Sequence, residues 1–331
     1  MNIAELRMRF LHRVYLKTLI GREAELAARP GGVHASEGSP VRFDIMLEGL
    51  KREPSGPPAA GEAMRHMLGS MWGIYRSLQS VDSNPSQART QIPAGELAEL
   101  EEYSRSVGVD DMGYAHLSET LVFQGKAVLH PNAIVLTMEM DKRRIDTSPS
   151  RESFVAVHET YHNLGDAANR IAGYLRRRGY SAHAGHPLMG LTLYPPLAQQ
   201  AGLGWRGLHG LLITPRFGPR VRLAAVFTSI ENLPIDPEKA ADHQWIEEYC
   251  NLCRRCVKEC PPRAILDHPR ERDNGLVTCV ETDACFPYFF DHYGCSICIR
   301  VCPFQEKDYS VLKDRLSRRR ERATTSASVG G

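Results

Sequence analysis

Hydrophobic positions recur at helical spacing through the central segment ESFVAVHETYHNLGDAANRIAGYLRRRG. The apolar members of this stripe are Val157, Tyr161, Leu164, Ala168, Ile171 and Leu175. Steps of three and four residues place them on one face, so the pattern predicts a long amphipathic helix. Gly179 is positioned to end it. The same reasoning predicts two earlier helices, in MRHMLGSMWGIYRSLQ and in PAGELAELEEYSRSVG.

Continuous apolar runs predict strands between these helices. The run from Ala133 to Met138 contains β-branched residues and suits a buried strand. Two further strands are predicted at residues 211–214 and 221–228, on either side of a Pro/Gly turn. Because helices and strands alternate, we expect a domain of the α/β (α+β) class over residues 63–235.

The flanking segments differ from this domain in pattern. Residues 1–62 contain one plausible helix followed by two Gly/Pro-rich patches, and we expect an irregular N-terminal arm and linker there. The proline-containing stretch IENLPIDPEKAADHQW marks a boundary before a third region, residues 236–310. The charged residues 311–331 predict a basic disordered tail.

Composition narrows the class of protein. The 331 residues carry a net charge of +2 and nine cysteines, which all lie between Cys250 and Cys302. Such a charge gives no reason to expect a nucleic-acid partner, and no apolar run is long enough to span a bilayer. We therefore expect a cytoplasmic protein that has no membrane partner. In a reducing compartment, clustered cysteines bind metal more often than they form disulfides.

The cysteines form two spaced motifs. The first is C-x2-C-x2-C-x3-C-P, with Cys250, Cys253, Cys256 and Cys260, and the second is C-x2-C-x3-C-P, with Cys295, Cys298 and Cys302. In two-cluster ferredoxins the cysteine before proline ligates the other cluster. This rule assigns to one [4Fe-4S] cluster the ligands Cys250, Cys253, Cys256 and Cys302. The second [4Fe-4S] cluster then takes Cys260, Cys295, Cys298 and one further cysteine.

Two cysteines, Cys279 and Cys285, can fill that last position. Cys285 is favoured because it is nearer to Cys295 and begins the aromatic run CFPYFF, which can shield a cluster from water. The alternative to clusters is a zinc ribbon. Zinc requires two C-x2-C pairs and has no use for the third cysteine or the prolines.

A second metal motif, H-E-x-x-H, occurs on the predicted long helix. His158, Glu159 and His162 match the pattern that binds zinc in metallopeptidases, with the glutamate as general base. A third ligand is missing, because position 168 is alanine and the next acidic residue after Asp166 is Glu231. Two protein ligands make an incomplete catalytic zinc site. A zinc peptidase is thus a remote alternative.

The cysteine module, together with AGLGW and GLHGLLITPRFGPRVRLAAVFTS before it, resembles the reductive dehalogenase and epoxyqueuosine reductase superfamily. The similarity extends from about residue 101 to Phe304 and includes ANRIAGYLRRRGYSA and CFPYFFDHYGCSICIRVCPF. It implies a nitroreductase-like, cobalamin-binding domain followed by a ferredoxin-like module with two [4Fe-4S] clusters. It also implies Cys285 as a ligand, because the lone cysteine of the family stands before a similar aromatic stretch.

The chain departs from the family pattern at three points. No twin-arginine signal precedes it, so the resemblance is to cytoplasmic members. Epoxyqueuosine reductases carry an acidic residue in an Asp-Tyr-His stretch, where this chain has Thr160, Tyr161 and His162. No D-x-H-x-x-G corrinoid signature occurs, which is compatible with the base-off cobalamin of this family.

The resemblance implies that the clusters pass single electrons to a base-off cobalamin while a nearby acid supplies a proton. The catalytic candidates are Glu159, Tyr161 and His162, with Tyr180, His183 and His186 as further possibilities. Tyr161 lies on the apolar stripe, so the alternative interpretation is that it is a core residue with no catalytic role. The candidate cofactor-binding residues are Gly202, Leu203, Gly204, Trp205, Gly207, His209 and Thr214. Glycines permit close approach to a planar cofactor, although these could equally be turns.

Two functions follow as hypotheses. The first is an iron-sulfur oxidoreductase that reduces a small organic substrate through cobalamin and receives electrons from a ferredoxin or flavodoxin. The second is a ferredoxin-like electron-transfer protein that binds no corrinoid and docks a partner enzyme.

Overall fold

The computed structural model describes residues 3–42 and 61–329, and the side chains of residues 14–42 and 61–322. The strands are β1 Val33–His34, β2 Asp111–His116, β3 Ala127–Val128, β4 Asn132–Glu139, β5 Ala182–Gly185, β6 Trp205–Arg206, β7 Leu212–Ile213, β8 Val221–Thr228, β9 Ile265–Glu271 and β10 Val277–Val280. The helices are α1 Ile3–Ala27, α2 Gly61–Gln79, α3 Ala94–Ser106, α4 Lys142–Ile145, α5 Arg151–Arg177, α6 Tyr194–Gln200, α7 Trp245–Cys253, α8 Arg255–Lys258, α9 Thr282–Asp291, α10 Ile297–Arg300, α11 Pro303–Glu306 and α12 Tyr309–Val329.

An antiparallel sheet in the order β2-β4-β8-β5 forms the centre of the first domain. The predicted apolar run became the central strand β4, whose side chains alternate between two cores. Ile134 and Leu136 pack with Leu164 of α5, whereas Val135 packs on the opposite face with Phe227. Helices cover both faces of this sheet, which confirms the predicted mixed fold of helices and strands.

Helix α5 confirms the stripe read from the sequence. Its N-terminus is closed by a capping box between Ser150 and Ser153, and Gly179, with a φ of +85°, follows its C-terminal end. Leu164, Ile171 and Leu175 are buried against the sheet. Twenty-seven residues make this helix long enough to connect the core with the cysteine module.

The N-terminal segment contributes more to the core than an irregular arm would. Within α1, Leu16, Leu19 and Leu26 are buried in the same cluster as Ile74 of α2. The buried carboxylate of Glu23 accepts hydrogen bonds from Arg42 at 2.7 Å and from Lys126 at 2.5 Å. The Gly/Pro-rich patch at residues 54–58 lies outside the described residues.

The C-terminal tail was predicted to be disordered, and this was wrong for the part that the structure describes. Helix α12 continues to Val329, and its Leu312 and Leu316 are buried with Trp245 and Phe304. These two leucines stand four residues apart, so they share one helix face and pack against the cysteine module. The dense charge of the other positions concealed this short apolar stripe.

The two domains are joined by a buried polar network. The Arg220 guanidinium, only 7% exposed, donates to the Glu139 carboxylate at 2.6 Å and to Gln305 Oε1 at 2.7 Å. Gln305 Nε2 in turn donates to Asp146 Oδ1 at 2.8 Å. Because Gln305 lies just beyond Cys302, this network fixes the cysteine module against β4 and β8.

Replacing Arg220 with methionine is expected to destabilise the contact between the domains by about 2 to 3 kcal/mol, because Glu139 and Gln305 lose a buried, charged donor. The expected result is a lower midpoint of thermal unfolding for the anaerobically purified protein. Arg177→Met at an exposed position of α5 is the control and should leave the midpoint unchanged. Equal midpoints for the two variants would show that the network contributes nothing to docking.

Within the part of the chain that the structure describes, no helix combines the length and the apolar character that crossing a membrane requires.

Candidate functional site

Four cysteines line one small cavity in the cysteine module. They are Cys250 and Cys253 from α7, Cys256 from α8 and Cys302 immediately before α11. Arg254, which has a left-handed φ of 54°, separates α7 from α8 and turns the chain around the cavity. These are the four residues that the spacing predicted for one cluster.

Cys256 and Cys302 are buried and Cys250 and Cys253 are half-buried, which matters for what the group can bind. Burial raises the pKa of Cys250 to about 12 and that of Cys256 to about 11. A metal ligand must be a thiolate, and burying several thiolates is costly unless positive charge compensates them. Iron ions supply that charge. The donor set and its burial therefore fit an iron-sulfur cluster.

The remaining ligand candidates form a second group beside the first. Burial, and then the nearby Cys260 and Cys295, raise the pKa of Cys285 to about 11. Cys298 is half-buried, and its pKa is raised by desolvation and then by Cys295, Cys256, Cys285 and Cys260. Since Cys298 is close to Cys256 as well as to its own group, the two groups are adjacent.

Cys279 lies apart from the second group, although it lines a cavity that Cys250 of the first group also lines. It is buried on β10, where burial raises its pKa and Arg206 lowers it. A Cβ on Gly210 would meet the Cys279 Cβ at 3.3 Å, so the thiol packs against the β6–β7 turn. The structure thus brings Cys285, and not Cys279, together with Cys260, Cys295 and Cys298. The ligand assignment stays a prediction that a variant can test.

The three residues of the H-E-x-x-H motif have different partners. His158 is packed on Phe154 with ring centroids 4.3 Å apart, and burial lowers its pKa to about 4. Glu159 accepts a hydrogen bond from Arg144 at 3.0 Å, and His162 Nδ1 lies 3.2 Å from His66 Nδ1. Across the described ranges, no three His, Cys, Asp or Glu side chains form a group that could hold a single metal ion.

Tyr161 is the predicted catalytic residue that reaches the cysteine module. It packs against the same small core as Cys298, which includes Met140 and Ile299. The Arg222 guanidinium lies 4.5 Å from the centre of its ring. Glu159 and His162 instead point toward Arg144 and His66.

Two polar atoms beside Tyr161 are buried and have no hydrogen-bond partner among the described residues. They are Arg222 Nε and His158 Nδ1. A buried donor without a partner costs about 1 to 3 kcal/mol, and a bound ligand is one explanation for such a group. Sequence reasoning missed Arg222, although a lone arginine in the apolar strand VRLAAVFT was a usable signal.

The glycines proposed as a cofactor cradle are packed against protein instead. A Cβ on Gly204 would lie 2.1 Å from the Ile213 carbonyl oxygen, and one on Gly202 would meet the Lys239 side chain at 2.5 Å. Gly207 donates its backbone N–H to Leu211 at 3.0 Å within the β6–β7 hairpin. Turn geometry and close chain packing thus account for the three glycines without a cofactor, and their role in binding one stays a prediction.

The other four cofactor candidates also have structural positions. Leu203 packs on the first core, and Trp205 packs on the cluster that contains Trp245. The Thr214 hydroxyl donates to the Gly218 carbonyl at 3.2 Å. His209 differs, because it lines the cavity of the first cysteine group and its Nε2 is buried without a partner in the described chain. Burial lowers the His209 pKa to about 4, so the ring is neutral.

The further candidates after α5 belong to the core. The Tyr180 hydroxyl donates to Glu96 at 2.8 Å, and His183 is fully buried on β5. His186 lies against Gly165, where a Cβ would be 1.9 Å from Nε2. Such close packing makes these residues part of the interior.

Comparison with known proteins agrees with the cysteine module. Residues 243–266 match the family model described as 4Fe-4S binding domain. The chain is 32% identical over 254 residues to the tetrachloroethene reductive dehalogenase of Desulfitobacterium hafniense, which covers 72% of this chain and 43% of that protein. It is also 32% identical over 124 residues to the epoxyqueuosine reductase of Listeria monocytogenes, covering 33% of this chain and 28% of that protein.

The solved structures show the fold. The catabolic reductive dehalogenase NpRdhA, in complex with 3-bromo-4-hydroxybenzoic acid, matches 86% of this chain and 45% of its own, with a TM-score of 0.63 and 18% identity. An epoxyqueuosine reductase has been solved with an epoxyqueuosine-modified tRNA stem loop. That complex describes the solved protein, and the expectation of no nucleic-acid partner stays an expectation for this chain.

The chain spans less than half the length of the dehalogenases that it matches. Its cysteine spacing, its fold and these sequence matches nevertheless agree with one another. The chain belongs to the superfamily that contains the reductive dehalogenases and the epoxyqueuosine reductases.

Proposed function

We propose that this protein is a reductase that passes single electrons through two [4Fe-4S] clusters to a base-off cobalamin and thereby reduces a small organic substrate. The observation that carries the proposal is the arrangement of eight cysteines in two adjacent groups, one of which lies beside Tyr161 and Arg222. The first group would hold one cluster through Cys250, Cys253, Cys256 and Cys302. The second would use Cys260, Cys285, Cys295 and Cys298.

The placement of the two groups supports a direction for the electrons. Cys253 of the first group lines a surface cavity, whereas Cys298 of the second group, which is half-buried like Cys253, packs against the small core that Tyr161 of α5 also contacts. Electrons would enter at the first cluster and leave from the second. Each transfer oxidises one cluster by one electron and reduces its neighbour by one.

The surroundings of Tyr161 fit a cofactor with polar peripheral groups. Arg222 Nε and His158 Nδ1 offer buried polar atoms there that lack partners within the described residues. A corrinoid carries amide side chains and a phosphate, and when bound it supplies low-potential cobalt chemistry. Arg222 would bind an acceptor oxygen, and the Tyr161 hydroxyl would hold the proton that the reduced substrate takes up.

One observation favours the simpler electron-transfer function as a second candidate. Ile213 and Lys239 occupy the positions that side chains on Gly204 and Gly202 would need, so packing within the chain accounts for these glycines without a cofactor. In this alternative the surface around Tyr161 and Arg222 would contact a partner enzyme.

Metal analysis after anaerobic purification separates the two functions. We expect about eight irons per chain, as two [4Fe-4S] clusters require, and about one cobalt after incubation with cobalamin. Arg222→Ala should reduce bound cobalt without changing iron, whereas Arg177→Ala should change neither. Eight irons without cobalt would support the electron-transfer function. Zinc without iron would contradict both functions.

A further inference from the structure

A surface cavity of about 400 Å³ lies between α7, α11 and α12, on the solvent side of the first cysteine group. Its walls are built by Tyr249, Leu252, Cys253, Arg255, Pro303, Glu306, Lys307, Leu312, Arg315, Leu316 and Arg319. Cys253 is a predicted cluster ligand, so the first cluster would lie near solvent at this cavity. The residues on its rim decide what can approach the cluster there.

The rim is strongly basic. Four exposed cations, Arg255, Lys307, Arg315 and Arg319, surround the cavity, and Glu306 is the acidic residue in its wall. None of the four cations has an ion-pair partner within the described residues. Unpaired cations around a concave surface create a positive potential that attracts an acidic partner and accelerates its association.

An apolar residue lies among these charges. Leu252 is 45% exposed and stands next to Cys253. An apolar centre with a charged rim is the usual composition of a specific protein interface. Arg315 and Arg319 are four residues apart on α12, on a helix held in place by the buried Leu312 and Leu316. The charged face is therefore presented by a packed helix.

We propose that this surface, defined by Leu252, Arg255, Lys307, Arg315 and Arg319, docks an acidic one-electron carrier protein of the ferredoxin class. The reduced carrier would lose one electron at its own cluster, and the cluster held by Cys253 would gain it. Complexes between redox proteins are small and transient, so long-range charge attraction contributes much of their formation rate. This inference rests on the proposed presence of the first cluster.

The test is the rate at which a reduced, acidic plant-type [2Fe-2S] ferredoxin bleaches the visible absorbance of the oxidised protein in anaerobic stopped-flow experiments. For the native chain, the second-order rate should fall steeply as ionic strength rises. The double variant Arg315→Glu/Arg319→Glu should react at least about tenfold more slowly at low salt and lose most of its salt dependence.

Two controls identify the cause. Arg177→Glu, at the C-terminal end of α5, changes the net charge by the same amount as each substitution of the double variant. It should keep the native rate within about twofold. Reduction by photoreduced 5-deazariboflavin, a small molecule that needs no docking surface, should be the same in all variants. An unchanged ferredoxin rate in the double variant would overturn the proposal.

The outcome also separates this inference from the proposed function. If deazariboflavin bleaches the clusters but ferredoxin does not respond to the double substitution, the docking surface is wrong and the clusters stand. If neither reductant bleaches the visible absorbance, the protein holds no reducible cluster and the proposed function fails. The docking proposal then fails with it. Binding of a tRNA stem loop that is lost in the double variant, without any ferredoxin effect, would assign the surface to RNA instead.

Discussion

Replacing Cys285 with alanine is expected to remove about half of the iron from the anaerobically reconstituted protein, whereas Cys279→Ala should leave the iron content unchanged. Cys279 is buried and Cys285 is half-buried, and both precede the aromatic side chains of the run CFPYFF in sequence. What separates them is their position relative to the other cysteines. Cys285 is close to Cys260 and Cys295, while Cys279 faces Arg206 and the turn at Gly210. Each [4Fe-4S] cluster needs four thiolates.

The measurement is iron per chain, together with the electron paramagnetic resonance spectrum of the reduced protein. The Cys285 variant should lose the magnetic coupling between two neighbouring clusters, because only the first would remain. Cys279→Ala is the matched control, since it also removes one thiol from the same module. Loss of iron from the Cys279 variant alone would reverse the ligand assignment.

Replacing Tyr161 with phenylalanine is expected to lower turnover by about a hundredfold, the lower end of what general acid catalysis contributes. The substitution removes only the hydroxyl, so the ring keeps its packing with Met140 and under Arg222. Iron and cobalt contents should therefore stay unchanged. Under the proposed function, turnover is screened across small organohalides, beginning with tetrachloroethene because the matched dehalogenase is named for it.

Tyr174→Phe is the control for this prediction. Tyr174 lies further along α5 and stacks on Tyr103 with ring centroids 4.4 Å apart, away from the cysteine module. It should retain nearly full turnover. If Tyr161→Phe behaves as Tyr174→Phe does, Tyr161 is a packing residue, as its position on the apolar stripe first indicated. Another group would then have to supply the proton.

Local patterns in the sequence carried a large part of the fold. Helix α5 and strand β4 were predicted because burial on one face or on both faces imposes a period on the residues themselves. The C-terminal helix was missed for the opposite reason. Leu312 and Leu316 are two apolar positions in a charged segment. Their contribution to helix packing depends on Trp245 and Phe304, which come from elsewhere in the chain.

The candidate site was less predictable than the fold. The AGLGW block was interpreted as a cofactor cradle because glycine permits close approach. Which atoms approach a glycine depends on the tertiary structure, and the sequence does not reveal them. In the structure the close neighbours are Ile213 and Lys239. Arg222 was overlooked because one cation in an apolar strand has no periodicity, and its proximity to Tyr161 comes from the packing of α5 on the sheet.

The sequence by itself determined the cysteine spacing and therefore the predicted cluster motifs. Ligands two or three residues apart are brought together by local chain geometry alone. The sequence also determined the helical stripe and the buried strand. Only the tertiary structure decided that Cys285 joins the second group, that Tyr161 lies beside it, and that Arg315 and Arg319 surround the edge of the first. Those arrangements join residues distant in sequence, and their contacts form only when separate elements pack together.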